Sequence, residues 1–481
     1  MAEPTGGTCS GRSIPHPAPC LSYWQRTTRA FPLLHANRDA AVPASAKYVI
    51  IGSGLSGALT AFELLDAGVK GDEVIILEAR EAASGASSRN AGHVRPDAFR
   101  GFTFYSKLHG PAQALQILAN ERLVLQRVDA FVKKHNVPCD FNLTSTFDVC
   151  MTADFAAYEA ASFNAYKTAG GDTSHIAIYQ GEEAESKSGI RGAIAAYQWP
   201  AASIHPAKLA HFLLQTAVSQ GVRLFTFCPA TQVTKSSSSP SPSSSQTPLW
   251  NIHTPRGTIT TPKVIHCTNA HAALLLPTLD PHVTPNRAQA HSIIPTPSLA
   301  GTHALQSTYS LRYSLEHFYS LIQRRGDGTL ILGVSRMNPN LSAAAVAGRL
   351  STDDSGFSAE QAADAVGSLE RVFPQLGLRE KRHGEGLEHV WTGIVAMTGD
   401  SVPFIGAVDG LPGQFVCAGF GAHGMARIFT CAPGVVKLIL GKEWRETGLP
   451  ECFQITKERL AKLAAGKGKA TQQSGRSKSN L

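Results

Sequence analysis

Three glycines near the start of the chain constrain its fold more than any other feature. Gly52, Gly54 and Gly57 have GxGxxG spacing in the segment KYVIIGSGLSGALTAFELL, between an apolar strand predicted at 48–51 and a helix predicted at 58–65. In such a unit the first glycine permits a tight turn, the second lets backbone amides approach a pyrophosphate, and the third lets helix and strand pack closely. The motif therefore predicts a Rossmann-type α/β unit that binds a dinucleotide at the N-terminus of its first helix.

The second strand of this predicted unit, at 74–77, ends on an acidic residue. The carboxylate of Glu78 can accept hydrogen bonds from an adenosine ribose, and the turn at 68–72 accommodates its slightly long spacing from Gly52. A GxGxxG motif alone also fits an ordinary glycine-rich turn, and it does not separate FAD from NAD. Strand, helix and terminal acid together favour the dinucleotide site.

Composition and cysteine spacing narrow the class of protein. The 481 residues are 43% hydrophobic, which is enough for one large composite fold or two packed domains. No apolar run approaches the length of a membrane span, and the N-terminus does not have the order of a signal peptide. The nine cysteines are scattered without CxxC spacing, which predicts reduced thiols, and no HxxxH or carboxylate cluster predicts a metal site. We therefore expect a soluble cytoplasmic protein, although the C-terminal Ser-Asn-Leu is a degenerate relative of the peroxisomal Ser-Lys-Leu address.

The positive charge is concentrated at the C-terminus. Residues 455–481 hold seven basic residues against one acidic residue, and the whole chain has a formal charge of +8. The rest of the chain is thus nearly neutral, and no basic face with aromatic or motif support is visible. We interpret the basic segment as a solvated tail, and we do not expect the protein to bind nucleic acid.

Four sequence blocks, spread over about 47–441, carry a resemblance to a known family. They are the glycine motif with Glu78, the segment SGASSRNAGHVRP at 84–96, the pair SIHPAKLAHFLLQTAVSQGV and VIHCTNA, and WTGIVAMTGDSVPFIG followed by CAGFGAHGM. In this order they resemble the D-amino-acid oxidase and sarcosine oxidase superfamily of FAD-dependent amine oxidoreductases. Among its members, the chain is most similar to the fungal and bacterial γ-glutamylputrescine-oxidase-like branch.

The resemblance implies FAD as the cofactor and assigns residues to it. The 84–96 segment is expected beside the pyrophosphate and isoalloxazine, and the 419–424 loop at the pyrimidine edge, where backbone N–H groups stabilise the negative charge of reduced flavin. The implied FAD-binding residues are Gly52, Ser53, Gly54, Leu55, Ser56, Gly57, Glu78, Ala79, Arg80, Ser84, Ser87, Ser88, Arg89, Asn90, Ala91, Gly92, Val233, Thr268, Ala270, Gly406, Gly421, His423, Gly424 and Met425.

The chain departs from the family at positions that bear on its chemistry. Gly393 and Arg89 stand where covalent-flavin members carry a cysteine and a histidine, so FAD is expected to be non-covalent. The family's oxygen-activating lysine falls near Ile331, which leaves oxidase and dehydrogenase both open. A lysine that pairs with a substrate carboxylate is replaced by Ala426, while Arg95 remains available to hold an anion.

The implied fold class is α/β, with a Rossmann-type FAD-binding domain interleaved with an α+β substrate domain on a mostly antiparallel sheet. The predicted FAD-binding parts are 47–136, 202–289 and 387–454, and the predicted substrate parts are 137–201 and 290–386. The arm at 1–46 is predicted to be irregular, with a Tyr-Trp pair that can dock on the body. A Ser/Pro loop at 235–248 and the tail at 455–481 are predicted to be disordered.

Five residues are candidates for catalysis or substrate binding. His93 and His423 lie in the two flavin-facing loops and titrate near neutral pH, although a structural role for each is also open. Tyr319 and Gln323 alternate on one face of a strand, and two orientations are open: both point into the pocket, or both take part in plain sheet packing. Tyr319 joins the histidines as a candidate catalytic residue, whereas Gln323 and Arg95 are candidate substrate contacts.

The predicted reaction is oxidation of a carbon–nitrogen bond. A small amine in its neutral form is expected to donate hydride to FAD, with oxygen as the acceptor that reoxidises the flavin to give hydrogen peroxide. The alternatives are another FAD enzyme, such as an NAD(P)H-dependent hydroxylase, and a catalytically silent FAD-binding protein. The sequence does not identify the substrate.

Overall fold

Strands and helices alternate along most of the chain. The computed structural model describes residues 12–237, 248–334, 337–377 and 381–465. Its strands are β1 (Tyr48–Ile51), β2 (Val74–Leu77), β3 (His93–Val94), β4 (Asn142–Cys150), β5 (Ala177–Gln180), β6 (Ala195–Ser203), β7 (Arg223–Phe225), β8 (Gln232–Lys235), β9 (Trp250–Thr254), β10 (Gly257–Thr261), β11 (Lys263–His266), β12 (Val283–Ile294), β13 (Thr308–Arg312), β14 (Phe318–Gln323), β15 (Leu330–Val334), β16 (Gly386–Thr398), β17 (Phe404–Ala407) and β18 (Gln414–Ala418). Its α-helices are α1 (Tyr23–Arg26), α2 (Leu55–Asp66), α3 (Phe102–His109), α4 (Pro111–His135), α5 (Ala153–Thr168), α6 (Glu182–Ser188), α7 (Pro206–Ser219), α8 (Ala272–Leu275), α9 (Ala343–Ala347), α10 (Ala359–Val372), α11 (Ile428–Ile439) and α12 (Trp444–Thr447).

The glycine motif lies at the centre of a six-stranded sheet. The strand order is β17-β18-β11-β1-β2-β7, in which β17 is antiparallel to β18 and the other pairs are parallel. The chain leaves β1 toward β2 and β7 on one side, and later forms β11 and β18 on the other side. Open α/β sheets bind ligands at the carboxyl ends of strands where the order divides in this way. The predicted Rossmann-type unit is confirmed, and its crevice lies between the ends of β1 and β11.

Both faces of this sheet are covered because its central strands are apolar on both sides. Ile50 and Ile76 pack into the core that contains α2 and α7, whereas Val49 and Leu77 pack toward a three-stranded antiparallel sheet of β10, β9 and β8. Successive side chains of a strand point to opposite faces, which produces this division. Helix α2 also contacts α11, so its N-terminus is held in place at the crevice.

A nine-stranded sheet forms the other part of the fold. Its order is β16-β12-β15-β14-β13-β4-β6-β3, and β5 pairs with β6. The pairing of β13 with β4 is parallel and the others are antiparallel. One face packs on α10 through a cluster that includes Leu311, Leu321 and Leu369. The mostly antiparallel sheet is therefore confirmed.

Two predicted domain boundaries fall inside strands of this sheet. Strand β12 pairs with β16 from Val283↔Thr398 to Ile294↔Gly386. Residues 283–289 and 387–398, predicted as FAD-binding parts, thus belong to the antiparallel sheet. Both strands continue without a turn across the predicted boundaries, so no change in local composition marks them.

The N-terminal arm is fixed to the body from residue 12 onward, which corrects the prediction of a purely irregular segment. Helix α1 begins with a capping box in which the Ser22 hydroxyl accepts the N–H of Gln25. Trp24 is completely buried and Tyr23 nearly so. The predicted docking of this aromatic pair on the body is therefore confirmed.

The start of the basic tail is ordered, which corrects the prediction of disorder from 455 onward. Residues 457–465 form a helical segment. The Arg459 guanidinium pairs with both carboxylate oxygens of Asp400, at 2.8 and 3.0 Å, and lies 4.1 Å from the ring centre of Phe404. It also donates hydrogen bonds to four backbone carbonyl groups. These contacts anchor the segment to the body.

Parts of three predictions lie outside the described residues. They are residues 1–11 of the arm, 238–247 of the Ser/Pro loop and 466–481 of the tail. Within the described ranges, none of the helices combines the length and apolarity needed to cross a bilayer.

Arg459→Ala should lower the free energy of unfolding by about 3 kcal/mol, because it leaves the carboxylate of Asp400 buried without its cation. Urea-induced unfolding followed by circular dichroism measures the change. Lys457→Ala is the matched control on the same segment, since its side chain is 75% exposed, and it should leave the midpoint of urea unfolding nearly unchanged. Equal effects of the two substitutions would show that the segment is not anchored by Arg459.

Candidate active site at the FAD crevice

Two glycines of the motif are required by the packing of the protein itself. Gly52 has φ +107°, and a Cβ on it would lie 2.5 Å from the carbonyl oxygen of Cys267, just after β11. A Cβ on Gly57 would lie 1.9 Å from the carbonyl oxygen of Gly52. Only residues without a side chain permit these approaches, which bring β1, β11 and α2 together.

Gly54 is surrounded differently. A Cβ on Gly54 would meet only Ser87 within 4 Å, with its Oγ nearest at 3.1 Å. The backbone of Gly54, at φ −61° and ψ 177°, is accessible to any residue. The protein's own packing therefore does not require glycine here. Space in front of a helix N-terminus is what a pyrophosphate needs to approach the backbone.

The carboxylate of Glu78 is held at the end of β2. Its Oε2 accepts the backbone N–H and the hydroxyl of Ser53, at 3.1 and 2.7 Å, and its Oε1 accepts the N–H of Arg80 at 3.0 Å. An ionised carboxylate offers about four lone-pair sites. Glu78 therefore keeps acceptor capacity for the hydroxyl groups of a ribose.

The 84–92 loop closes over the start of α2. The Ser87 hydroxyl accepts the N–H of Leu55 at 2.7 Å, and Asn90 braces the loop internally by donating to the carbonyl of Ser87 at 3.0 Å. On its other side the loop meets the antiparallel sheet, because the Trp391 indole donates to the carbonyl of Arg89 at 2.8 Å. The loop thus lies between the two sheets.

The N-terminal arm runs along the same region. It contacts the segment after β11, the residues after Glu78 and the 84–92 loop in turn. The bonds are His271 Nδ1 with Ser13 O (2.9 Å), Arg80 Nη1 with His16 O (3.3 Å), Ser22 Oγ with Ser88 O (2.5 Å) and Trp24 Nε1 with Asn90 O (2.7 Å). Sequence reasoning did not assign the arm a place at this site.

Arg80 and Arg89, both predicted to contact the cofactor, share the buried carboxylate of Asp354. Arg80 Nη1 lies 2.9 and 3.0 Å from the two carboxylate oxygens, and Arg89 Nε lies 3.6 Å from one of them. Arg89 also donates to the backbone carbonyls of Ser84 and Thr392. The two guanidinium groups therefore hold the 84–92 loop in place, and direct contact of either with FAD stays a prediction.

The loop after β11 is tied to the second glycine-rich loop. The side-chain oxygen of Asn269 accepts the N–H groups of Gly419 and Phe420, at 3.1 and 3.3 Å. Asn269 adopts φ +46°, the left-handed conformation in which asparagine is common. The predicted residues Thr268 and Ala270 flank it, so the structure brings the third and fourth sequence blocks together at the carboxyl edge of the sheet.

Unpartnered polar atoms around the crevice fit a polar cofactor. In the described part of the chain, the buried hydroxyl groups of Ser84, Ser88 and Thr268 have no hydrogen-bond partner. Buried polar groups are rarely left unsatisfied in folded proteins. Together with the open space at Gly54 and the acceptor at Glu78, they match the phosphate and hydroxyl groups of FAD.

Two predicted FAD contacts lie farther from the crevice. A Cβ on Gly406 would meet Leu438, Trp444 and Ile455 at 3.7–3.9 Å, so Gly406 packs β17 against the region of α11 and α12. Val233 lies in β8, where it packs against the core between the six-stranded and three-stranded sheets.

His423 belongs to a buried hydrogen-bonded group on the second glycine-rich loop. Its Nδ1 lies 3.1 Å from Oε1 of Glu121, an α4 residue with no exposed surface. Arg427 Nε donates to the same oxygen at 2.8 Å, and the N–H of Asp97 donates to Oε2 at 2.8 Å. Glu121 thus joins the segment after β3 to the loop that carries His423.

His93 is a second polar group facing the same region. Strand β3, which begins with His93, contacts the 3-10 turn Gly424–Ala426. Both ring nitrogens are buried without a partner among the described residues. Burial and the positive charge of Arg95 lower the pKa of His93 to about 3, so its ring is neutral in the physiological range. A neutral imidazole without partners is a hydrogen-bonding group available to a ligand.

Arg95 has internal partners, and its predicted contact with a substrate anion stays a prediction. Its Nη2 lies 3.2 Å from the fully buried carboxylate of Asp148, and its Nε donates to the Thr146 hydroxyl at 2.8 Å. The guanidinium lies 4.8 Å from the ring centre of Trp199. Asp148 also pairs with Arg100 and Arg312, so Arg95 is part of an internal charge cluster.

Tyr319 and Gln323 point to the wrong face of the antiparallel sheet for a role beside the 84–92 loop. The Tyr319 hydroxyl donates to Asp364 of α10, and the Gln323 amide donates to backbone carbonyls of Leu299 and Gly328. The opposite face of β14 meets the loop, since a Cβ on Gly92 would lie 3.0 Å from Ile322. The predicted alternation is correct, and of the two orientations left open the structure shows packing of this face within the protein.

Sequence reasoning missed Glu121, Arg427, Asn269 and Asp354. The sequence does contain a signal for Glu121, which is an acidic residue in an otherwise apolar helical stripe. The stripe consists of Ile117, Val124 and Val128 on α4. The others lie in segments without periodicity, and their partners are distant in the chain. No group of three or more metal-ligating side chains occurs in the part of the chain that the structure describes.

The comparisons with known proteins agree with this site. A family model described as FAD dependent oxidoreductase matches residues 47–438. The chain belongs to this family. FAD is therefore its cofactor and the protein is an oxidoreductase, which confirms the resemblance seen in the four sequence blocks.

The individual relatives have low sequence identity to this chain, but the alignments cover most of it. The Haemophilus influenzae protein named "Probable oxidoreductase OrdL" is 23% identical over 447 residues, which are 88% of this chain and 90% of that protein. Glycine oxidase from Geobacillus kaustophilus superposes with a TM-score of 0.66 at 18% identity, covering 86% of this chain and 99% of that one. L-proline dehydrogenase from P. horikoshii superposes with a TM-score of 0.66 at 18% identity, covering 86% of this chain and 97% of that one. These structures share the fold of this family member.

Gly54→Val should abolish FAD binding while leaving a folded apoprotein, because only the space for the cofactor is filled. Gly57→Ala should instead prevent folding, since its Cβ meets the backbone of Gly52. The ratio of flavin to protein absorbance after gel filtration, with circular dichroism for folding, separates the two results. A folded Gly54→Val protein with stoichiometric FAD would show that the phosphates bind elsewhere.

Proposed function

We propose that this protein oxidises a carbon–nitrogen bond of a small amine or amino-acid-like substrate. The main support is the contact between strand β3, which carries the unpartnered neutral His93, and the turn that follows His423, whose ring is held by Glu121. Several structural neighbours are named for reactions of amino acids: glycine oxidase, L-proline dehydrogenase and L-amino acid deaminase. The same chemistry is proposed here because the side chains of His93 and His423 offer polar groups suited to an amine.

The roles of the residues follow from their protonation and surroundings. Bound FAD would supply the acceptor for hydride from the carbon next to the substrate nitrogen. Gly52, Gly54, Glu78 and Thr268 would hold it at the crevice. His93 is neutral and would hydrogen-bond the substrate, whereas His423 retains one ring nitrogen for the substrate amine. Because a protonated amine has no lone pair to assist loss of hydride, deprotonation must come first.

We also propose that FAD is held without a covalent bond. A Cβ on Gly393 would lie 2.9 Å from the Cβ of Arg89, so the two positions that carry covalent links in some relatives face each other here. Neither glycine nor arginine forms such a link.

Acid precipitation of the purified yellow protein should therefore release intact FAD into the supernatant. Absorbance of the supernatant and fluorescence of the protein band on a denaturing gel both measure this. Flavin that remains with the precipitated chain would contradict the proposal.

Anaerobic mixing with glycine, L-proline and a panel of primary and secondary amines should bleach the flavin with at least one of them. The reduction rate should rise with pH as the amine loses its proton, and readmitted oxygen should yield hydrogen peroxide. NADPH at the same concentration should have no effect. Fast reduction by NADPH without a response to amines would indicate a hydroxylase, and no response to either would indicate a silent FAD-binding protein.

A further inference from the structure

Glu121 collects three donors from separate parts of the chain although it lies in the middle of a largely apolar helix face. Arg427 and His423 reach one carboxylate oxygen, and the backbone N–H of Asp97 reaches the other. Neither Glu121 nor Arg427 has exposed surface. A buried charge costs several kcal/mol unless it is paired in this way. An apolar side chain would fill this part of the core without that cost, so packing alone does not account for Glu121.

The carboxylate is ionised at any working pH. Burial alone would raise the pKa of Glu121, but His423 and Arg427 outweigh it and hold the value at about 2. An ionised carboxylate only accepts hydrogen bonds. The hydrogen between Glu121 and His423 therefore resides on Nδ1 of the imidazole, and in the neutral ring Nε2 is left with a lone pair.

Arg427 is the cation that balances the charge of Glu121. Its Nη2 donates to the Tyr105 hydroxyl and its Nη1 to the Ser401 carbonyl, both at 2.8 Å. Burial raises the pKa of Tyr105 to about 12, so that residue is neutral. Other titratable groups near this region are Asp97, which Arg100 pairs, and the neutral His93. Burial also raises the pKa of the nearby Cys431 thiol to about 12, so that group is neutral as well.

We propose that Glu121 is a positioning residue that fixes the tautomer of His423, so that Nε2 accepts the proton released by the substrate ammonium. The N–H bond of the ammonium breaks, an Nε2–H bond forms, and the amine keeps the electron pair. The side chain of His423 is 28% exposed, which gives the accepted proton a route to solvent. This inference rests on the proposed amine oxidation.

The first test compares Glu121→Gln, His423→Asn and the double variant by anaerobic flavin reduction with the best amine found. Each single variant should reduce flavin about 100-fold more slowly near neutral pH, which is within the range for general bases. The double variant should be no slower than the slower single variant, because the two residues act as one unit. All three should approach the wild-type rate at a pH where the amine is already neutral.

Arg122→Gln is the control, because Arg122 follows Glu121 on α4 but forms an exposed pair with Asp172. It should keep the wild-type pH profile. A deficit of the single variants that is equal at low and high pH, or additive in the double variant, would overturn the inference and leave Glu121 with a structural role.

The second test does not depend on turnover. In the protein with ¹⁵N-labelled histidine, the His423 signals, assigned by their loss in His423→Asn, should show hydrogen on Nδ1 and a free Nε2. A neutral ring with hydrogen on Nε2 would contradict the inference even if Glu121→Gln fails to fold. If no amine reduces the wild-type flavin while this tautomer is observed, the proposed function fails and the role of Glu121 in setting the ring stands.

Discussion

The arrangement of the site depends on one buried carboxylate. Glu121 accepts hydrogen bonds from the segment after β3 and from the loop that carries His423, and it is itself fixed on the longest helix. A buried carboxylate is costly unless it is paired and hydrogen-bonded. The loss of any one of these donors would therefore leave the charge of Glu121 less well compensated. The two loops therefore keep one relative position, as a reaction between a bound cofactor and a small substrate requires.

A second constraint comes from small residues where the two sheets approach each other. A Cβ on Gly333 of β15 would lie 2.5 Å from the Ser320 hydroxyl and 3.3 Å from Ala91, and one on Gly393 of β16 would meet Arg89. The antiparallel sheet thus presents a shallow surface to the 84–92 loop. Larger side chains there would push the loop, and with it Ser87, away from the start of α2.

The parts of the fold that sequence reasoning recovered have local signals. The glycines, the strand before them and the acid at Glu78 all lie within one short unit, so spacing alone defines their geometry. Alternation along β14 correctly placed Tyr319 and Gln323 on one face, but the facing direction depends on neighbouring strands far along the chain. The helical segment at 457–465 is anchored by the pairing of Arg459 with Asp400, which no pattern within that segment reveals. Glu121 was missed because its side-chain partners, His423 and Arg427, are about three hundred positions away.

The docking of the N-terminal arm has a consequence for how the chain assembles on the ribosome. Leu21 accepts a hydrogen bond from His389, which lies 368 positions later. At synthesis rates of about 5 to 20 residues per second, the arm waits about 20 to 70 s for that partner to emerge. Its docking surface on the 84–92 loop forms much earlier than its partner on β16. The nascent protein therefore passes through a stage in which the arm can already dock on the 84–92 loop but still lacks its partner on β16.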